Sequence, residues 1–225
     1  MVFVCQYMGI FADEYPSVSP SVTFTNSEGE TSTDENYSGS APIKASLQAN
    51  PNNLGEWTPY YEWRIYHEND TIPYIIRYEE NTDLEFNESG THRIILYTKF
   101  TKDGETIEDI NDDAPFTVSV SESSLQMPNA FSPNGDGIND IYKAKQGYQS
   151  LVEFHAYIFN RWGQKLYEWS DPVGGWDGTY KGSPVKDGVY FCLVKAKGAD
   201  GKIYNIKRDV NLLRGYIEDY SSSQE

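Results

Sequence analysis

Apolar side chains occupy every second position over many short stretches of this chain, with polar residues between them. This period of two is typical of β-strands that bury one face, because successive side chains on a strand point to opposite sides. Strands are predicted around these residues: Ile43, Ala45, Leu47 and Ala49; Tyr61, Trp63 and Ile65; Ile94, Leu96 and Thr98; Phe116, Val118 and Val120; Val152, Phe154, Ala156 and Ile158; Tyr190, Cys192, Val194 and Ala196; Val210 and Leu212. Gly, Pro, Asn and Asp separate the stretches, and no segment has the period of an amphipathic helix. The pattern therefore predicts an all-β fold.

The charge divides the chain into two parts. Residues 1–120 contain 6 Lys and Arg against 21 Asp and Glu, whereas residues 121–225 contain 12 against 13. Such different compositions favour two domains rather than one. We therefore predict two antiparallel β-sandwich domains in tandem, with these divisions: 1–40, a leader or signal remnant and linker; 41–121, the first sandwich; 122–215, the second sandwich; 216–225, a polar tail.

The segments outside the two predicted cores have their own patterns. Residues 1–12 are mostly apolar, which is typical either of a secretory signal that lacks its positive start or of a buried first strand. Residues 16–40 are rich in Ser, Thr, Pro, Glu and Gly without a sustained period, so we expect a linker or a loosely held edge. The segment 121–128 is the other expected joint, with a backbone open to cleavage.

The composition excludes several classes of function. The formal net charge is −16, which opposes binding to nucleic acids and to anionic membranes. No apolar run approaches the roughly 20 residues that cross a bilayer, so no transmembrane span is expected. Aromatic residues make up 15% of the chain, which is not typical of a disordered polymer. The two cysteines, Cys5 and Cys192, lie far apart, and this argues against a disulfide framework and a cysteine-ligated metal.

The first predicted sandwich contains a tryptophan in a strand-like segment, Tyr-Glu-Trp at 61–63, and a later segment 86–96 that begins with Phe and continues through Gly90 into an apolar run. With these segments, about residues 41–121 resemble the polycystic-kidney-disease-type (PKD) immunoglobulin-like domains. His92 stands where that family usually has Tyr. The resemblance implies that Trp63 fills the core and that the domain is a spacer or interaction module rather than a catalyst.

The second half contains five motifs in a fixed order. They are the segments 128–140 (Pro-Asn-Ala-Phe-Ser-Pro-Asn-Gly-Asp-Gly-Ile-Asn-Asp), 158–163 (Ile-Phe-Asn-Arg-Trp-Gly), 175–182 (Gly-Trp-Asp-Gly-Thr-Tyr-Lys-Gly), 187–191 (Asp-Gly-Val-Tyr-Phe) and 207–214 (Lys-Arg-Asp-Val-Asn-Leu-Leu-Arg). Together, residues 127–214 resemble the gliding-motility-associated C-terminal domain, which is the type B sorting domain of the type IX secretion system. The resemblance assigns the sorting motif to these residues: Asn134, Gly135, Asp136, Gly137, Asn139, Asp140, Asn160, Arg161, Trp162 and Gly163.

This second resemblance implies a non-enzymatic protein of a Gram-negative bacterium that passes through the periplasm and is secreted or held at the cell surface. Its expected partners are the type IX translocon and the processing peptidase of that system. The end of such a domain is implicated in secretion, which here assigns translocon docking to these residues: Lys207, Arg208, Leu212, Leu213 and Arg214. The late cations either dock on an acidic receptor surface or lie on an ordinary solvated strand face.

The segment 134–140 places oxygen-bearing side chains beside glycines that permit a sharp turn. Hard cations such as calcium prefer oxygen ligands, and the candidate ligands are Asn134, Asp136 and Asp140. The segment does not fit an EF-hand, because Lys143 takes the place of the bidentate carboxylate. The alternative is a turn whose Asn and Asp side chains accept hydrogen bonds from their own backbone. Both interpretations stay open at this point, and no other cofactor is expected.

No catalytic motif is found in the sequence. His67, His92 and His155 are not spaced as metal ligands on one element, and no Gly-x-Ser-x-Gly elbow is present. Acidic pairs such as Glu79-Glu80 are neighbours along predicted strands, so their side chains point to opposite faces. We therefore predict that the protein is not an enzyme.

The tryptophans suggest a second function. Trp63 and Trp162 lie in motifs that anchor strands and are predicted in the cores, whereas Trp57 and Trp169 are less constrained. An exposed aromatic platform on residues 41–121 would favour a carbohydrate- or matrix-binding adhesin whose first domain binds a surface glycan or protein.

Overall fold

A computed structural model describes residues 15–215, which form strands and turns and contain no helix. The predictions for residues 1–12 and 216–225 lie outside the described residues. In the first half, the strands have these bounds: β1 Ser17–Val18, β2 Ser21–Thr25, β3 Thr31–Ser32, β4 Asn36–Gly39, β5 Ile43–Gln48, β6 Pro51–Asn52, β7 Thr58–His67, β8 Ile75–Arg77, β9 Asn81–Phe86, β10 Gly90–Lys102, β11 Glu105–Ile110 and β12 Phe116–Val120.

β1 and β6 form a two-stranded sheet, and the other strands form two larger sheets that pack face to face. One sheet has the order β3-β2-β5-β9, and the other has the order β4-β12-β10-β7-β8, with β11 paired to β10. Along β5 buried and exposed residues alternate strictly, as the period of two predicts. The inward-facing residues of both sheets form one core, in which Ile43, Trp63 and Val118 are completely buried. The predicted burial of Trp63 is confirmed, and its indole Nε1 donates to the Glu80 carbonyl at 3.3 Å.

The expectation that residues 16–40 form a linker is wrong, although β3 and β4 of this segment do lie at sheet edges. β2 pairs with β5 over five residues, and β4 pairs in parallel with β12. Val22 and Phe24 are buried in the core, and the Phe24 ring stacks on Tyr37 with ring centres 5.1 Å apart. The polar composition of this segment comes from its exposed turn residues. Val22 and Phe24 alternate with polar residues as buried positions, and this pattern is too short to stand out in the sequence.

The second half forms a separate unit with its own core. Its strands have these bounds: β13 Ala130–Phe131, β14 Leu151–Phe159, β15 Lys165–Trp169, β16 Thr179–Tyr180, β17 Ser183–Pro184, β18 Gly188–Gly198 and β19 Ile203–Leu212. The main sheet has the order β13-β19-β18-β14-β15, and β16 and β17 form a hairpin. One face of this sheet packs on Tyr142 and Trp176, which loops carry into the core. The prediction of an all-β chain with antiparallel sheets in tandem units is confirmed.

The two units meet at a hydrogen-bonded junction. Ser150 lies at its centre, is buried and has a left-handed backbone with φ of 47°. Its Oγ accepts a hydrogen bond from the Ala41 backbone N–H at 3.1 Å and lies 2.8 Å from Ser121 Oγ. Ala199 of the second unit packs against the core of the first unit, and its carbonyl accepts from the Ser89 N–H. The units are therefore joined by more than the connecting chain.

The segment 121–128 is not the open joint that the sequence predicts. Leu125 and Met127 are buried in the second core, and Ser123 is also buried. Ser123 Oγ lies 2.7 Å from Asp200 Oδ1 and 2.8 Å from the Tyr204 hydroxyl oxygen. The alternation of small polar and apolar residues here belongs to an extended segment that packs on the sheet. Because both its side chains and its backbone are engaged, the folded segment does not offer an accessible cleavage site.

Within residues 15–215, no helix is long and apolar enough to cross a membrane.

Candidate functional site

The segment 134–140 forms a turn that its own side chains hold together. Asn134 Oδ1 accepts from the Asp136 N–H at 3.0 Å, and Asp136 Oδ1 accepts from the Ile138 N–H at 2.8 Å. The two carboxylate oxygens of Asp140 accept from the N–H groups of Gly135 and Gly137, both at 2.8 Å. These backbone hydrogen bonds hold the pKa of Asp140 below its ordinary value. The geometry therefore favours the self-capped turn.

This turn offers few free oxygen ligands for the predicted calcium ion. Asp136 and Asp140 already accept backbone hydrogen bonds, and Asn134 Nδ2 donates to Asp136 Oδ2 at 2.9 Å. Among the residues that the structure describes, no group of three or more His, Cys, Asp or Glu side chains is placed to hold a metal ion. A cation here would depend on amide and backbone oxygens beside two carboxylates, and calcium at this turn stays a prediction.

The segment 160–163 forms a second self-capped turn, between β14 and β15. Asn160 Oδ1 accepts from the backbone N–H groups of Trp162 and Gln164, each at 3.0 Å. Gly163 has φ of 80°, a conformation that favours glycine. This turn holds Trp162 at its tip, with 75% of the residue exposed. The prediction that Trp162 lies in the core is wrong, because a turn tip projects its side chain away from the sheet.

Trp176 is the tryptophan that fills the second core, a role that no strand pattern in the sequence indicated. It is completely buried, and its indole Nε1 donates to the Thr179 carbonyl at 2.7 Å. Its backbone exchanges two hydrogen bonds with Tyr142, at 2.8 and 3.0 Å. Gly175 packs so closely on Tyr142 that a side chain there would collide with the Tyr142 carbonyl. The flanking Gly175 and Gly178 are the sequence signal for this close packing.

A groove of about 640 Å³ lies at the end of the main sheet where β18 begins. We call it the Trp162 groove, and its apolar and aromatic lining consists of Trp162, Leu166, Tyr180, Val185, Val189, Tyr190 and Phe191. Four motifs from distant parts of the sequence meet at this place: the 160–163 turn, the segment 175–182 through Tyr180, the segment 187–191 and the end of the segment 207–214. Arg214 connects the last two, because its Nη1 lies 3.0 Å from Asp187 Oδ1.

A family model matches the unit that carries these motifs. Residues 125–208 match the CHU_C type IX secretion signal domain. The match covers most of the second unit, and because of this similarity we use the name secretion signal domain for that unit. It does not include the first unit, so the resemblance of residues 41–121 to PKD-type immunoglobulin-like domains stays a prediction.

Two solved structures show distant likeness to the whole chain. A Bacteroides ovatus protein, SGBP-B of the mixed-linkage glucan utilization locus in complex with a mixed-linkage heptasaccharide, is 14% identical, with a TM-score of 0.27 over 89% of this chain. This chain spans about half of that protein, covering 48% of its length. A tetra-tandem repeat in the extending region of a large adhesion protein is 12% identical, with a TM-score of 0.28 over 90% of this chain and 68% of the other. No curated protein matches the chain.

The five residues assigned to docking from the sequence have different positions in the secretion signal domain. Leu212 is completely buried in the core, so it contacts no partner of the folded domain. Arg208 donates to the Met127 carbonyl, and Arg214 donates to the carbonyls of Val185 and Gly178. Lys207 and Leu213 are exposed. Arg208 is also exposed, so docking through this set reduces to Lys207, Arg208 and Leu213, and it stays a prediction.

The histidines of the first unit form a pair that sequence spacing does not reveal. β7 and β10 place the rings of His67 and His92 with centres 4.9 Å apart. His92 is buried; its Nε2 lies 2.9 Å from the Glu88 carbonyl and its Nδ1 lies 2.8 Å from the Tyr74 hydroxyl. A neutral ring that donates from Nε2 and accepts at Nδ1 satisfies both contacts. Burial lowers the pKa of His92 in agreement with this state, so the ring serves packing.

The outer face of the first unit carries an aromatic patch. Tyr60, Tyr78 and Tyr97 lie on the solvent side of the sheet, with ring centres 6.1 Å apart for Tyr60 and Tyr78 and 6.2 Å apart for Tyr60 and Tyr97. Glu62 accepts from the Tyr60 hydroxyl at 2.6 Å and from Arg64 Nε at 2.7 Å. Arg64 also lies over the Tyr97 ring, 4.8 Å from its centre. These contacts hold the ring positions and leave Tyr60 and Tyr78 exposed.

Proposed function

We propose that this protein is a non-enzymatic secreted or cell-surface protein whose second unit directs its export through the type IX secretion system. The observation that carries the proposal is the match of residues 125–208 to a type IX secretion signal domain. The matched residues coincide with a folded unit that has its own sheet and core. A type IX secretion signal implies export to the surface or the medium, and the first unit would travel with it.

The folded state of the signal domain supports recognition by shape. The turns at 134–140 and 160–163 are held by side chain to backbone hydrogen bonds, so their exposed residues have defined positions before any partner binds. A surface that is already ordered loses less entropy on binding than a flexible peptide does. The translocon would thus recognise a folded β unit, and processing within 121–128 would follow opening of the junction.

The proposal is tested with the full chain in a type IX-competent bacterium. The chain, with an epitope tag, is expressed behind a Sec signal in the parent strain and in an otherwise identical strain that lacks the translocon pore. We expect the tagged chain in the medium or on the surface of the parent strain and in the periplasm of the mutant. Equal retention in the periplasm of both strains would refute the sorting function.

A second function, ligand binding by the first unit, is supported by the aromatic patch of Tyr60, Tyr78 and Tyr97. Exposed aromatic rings beside fixed polar groups suit stacking on sugar rings and hydrogen bonding to hydroxyls. Affinity electrophoresis in gels that contain soluble glucan, xylan or mannan tests this function. Slower migration of the wild-type chain that a Tyr60→Ala, Tyr78→Ala variant loses would support it. Equal migration of the two proteins in all three gels would count against it.

A further inference from the structure

We infer that the Trp162 groove is the surface of the secretion signal domain that docks on the secretion machinery, and that its partner there is an acidic protein surface that inserts an apolar side chain. This inference rests on the proposed sorting function and names the residues and the partner chemistry of that function. Of the five docking residues assigned from the sequence, only Arg214 borders this groove, through its ion pair with Asp187.

The groove presents apolar side chains that the fold does not use. Trp162 is 75% exposed, and Val189 and Phe191 are 50% and 42% exposed. The Asn160 cap fixes the turn that carries Trp162, so this ring is presented in a defined place. Protein interfaces concentrate their binding energy in large, ordered aromatic residues of this kind. The exposed Trp162 ring does not stabilise the fold, so stability does not explain why a capped turn holds it at the surface.

The charge of the groove is opposite to that of the rest of the chain. Its lining includes the cationic side chains of Arg161 and Lys186 and the carboxylate of Asp187. Lys181 lies over the ring of Tyr180, which is a lining residue, and Arg214 pairs with Asp187. Asp187 is paired with Arg214, and no other ion pair within residues 15–215 involves the remaining three cations. The chain as a whole has a formal net charge of −16. Arg161 and Lys186 in the lining and Lys181 next to it, none of them in an ion pair, therefore favour an acidic partner.

The Arg161 guanidinium places one of these cations directly beside the exposed tryptophan. It lies over the Trp162 ring at 4.3 Å from the ring centre. A cation stacked on an aromatic face keeps its outward N–H groups available, and guanidinium N–H groups bind carboxylates in pairs. The turn therefore offers an apolar ring and a carboxylate-binding group side by side.

The groove also lies at the end of the domain that stays open when the first unit is attached. β18 begins at Gly188 beside the groove and ends at Gly198 beside the junction. Its 11 residues span about 33 Å at the usual rise of a strand. A partner can therefore reach the groove without contact with the first unit, which suits a signal that must serve whatever protein is attached to it.

Secretion of full-length variants tests the inference. Trp162→Ala removes the exposed ring, and the double variant Arg161→Glu, Lys186→Glu reverses the charge of the rim. Ile203→Ala is the matched control for the ring, because Ile203 is 61% exposed and lies at the junction end of the same sheet. Lys195→Glu, at an exposed position in the middle of β18, is the control for charge. Thermal unfolding of each purified variant establishes that it is folded.

The outcomes separate the inference from the function on which it rests. We expect both groove variants to unfold at the wild-type temperature and to accumulate in the periplasm, with at least about a tenfold loss of secreted protein, while both controls are secreted normally. Normal secretion of the groove variants would overturn the docking site and leave the sorting function intact. Retention of the wild-type chain in a competent strain would instead refute the sorting function.

The class of partner is tested by photo-crosslinking in the same strains. A photoreactive phenylalanine analogue replaces Phe191, at the edge of the groove, or Ile203 as the control. We expect the analogue in place of Phe191 to crosslink to a protease-sensitive component of the translocon. The analogue in place of Ile203 should not do so. A protease-resistant adduct that carries anionic polysaccharide would overturn the assignment of a protein partner.

Discussion

Arg214 and Asp187 form an ion pair, in which the guanidinium Nη1 lies 3.0 Å from the carboxylate Oδ1. The Arg214 backbone N–H donates to the other oxygen of the same carboxylate at 2.9 Å. The guanidinium also donates to the Val185 and Gly178 carbonyls. The chain end after β19 is thereby fastened to the loops that border the Trp162 groove.

This arrangement predicts a structural role for Arg214. Arg214→Ala should lower the free energy of unfolding by about 1–3 kcal/mol, because two partly buried carbonyls and a carboxylate lose a charged donor. Denaturation in urea measures the change. The control is Lys207→Ala, an exposed cation of the same motif, for which we expect almost no change. Equal stability of the two variants would show that the contacts of Arg214 do not hold the fold.

The two tryptophans of the secretion signal domain should have opposite effects on stability. Trp176→Ala leaves a cavity in the core and removes the hydrogen bond to the Thr179 carbonyl, which should cost about 3–5 kcal/mol. Trp162→Ala should change stability by less than about 0.5 kcal/mol, because the ring is exposed. Calorimetry of the full chain compares them. A large loss of stability in the Trp162 variant would contradict its position at a turn tip.

The buried His92 should make the fold less stable at mildly acidic pH. Its pKa is lowered from 6.5, first by burial and also by the neighbouring His67, although the Glu88 carbonyl and the carboxylates of Glu68 and Glu88 act in the opposite direction. The folded state takes up the proton less readily than the unfolded state. The contribution of His92 to the free energy of unfolding is therefore complete above pH 6.5 and falls as the pH decreases.

Melting temperatures between about pH 7.5 and 5.5 measure this effect. In this range the wild type should lose stability faster than a His92→Gln variant. His155→Gln, at an exposed position of β14, is the control and should follow the wild type. Parallel curves for the wild type and the His92 variant would show that His92 does not contribute to the pH dependence.

Calcium and the 134–140 turn make a separate prediction. If calcium binds the folded turn, excess calcium raises the melting temperature of the wild type, and a chelator lowers it again. If the turn is self-capped, as its hydrogen bonds favour, neither addition changes the melting temperature. In both cases Asp140→Ala should lower it, because the Gly135 and Gly137 N–H groups lose their acceptor. An unchanged melting temperature in that variant would contradict the capping role.

The junction between the units predicts resistance to proteolysis in the segment 121–128. Limited digestion followed by mass spectrometry should find no early cut there in the wild type. Gly198→Ala should open the segment, because a side chain at Gly198 collides with Ser123 and Asp200, at a cost of about 1–3 kcal/mol. Gly215→Ala, where space is open and φ is not positive, is the control. Early cleavage in the wild type would contradict the buried joint.

Local patterns in the sequence were sufficient to predict the strands and several of the turns between them. The alternation at Ile43, Ala45 and Leu47 predicted β5, and the burial along that strand follows it residue by residue. Gly, Pro, Asn and Asp were predicted to separate the strands, and Gly163 and Gly201, which lie between strands, both have positive φ. These features depend on neighbouring residues alone, since a strand has a period of two and a tight turn requires a particular backbone conformation.

Features that depend on which strands meet were decided only by the tertiary structure. Residues 16–40 look like a linker until β2 pairs with β5, and the segment 121–128 looks open until Leu125 and Met127 pack in the second core. In the same way, the sequence does not show that Trp176 fills the core while Trp162 faces solvent. Burial is a property of the partner surface, and the partner lies far away along the chain.

The sequence by itself thus determined that this protein is built of strands, that it divides into two parts of different charge, and that its second part carries the motifs of a secretion signal. Only the folded chain brought the 160–163 turn, the start of β18 and Arg214 together around one groove. The physical reason is that periodicity and turn chemistry act over a few residues, whereas a binding surface is assembled by the pairing of distant strands.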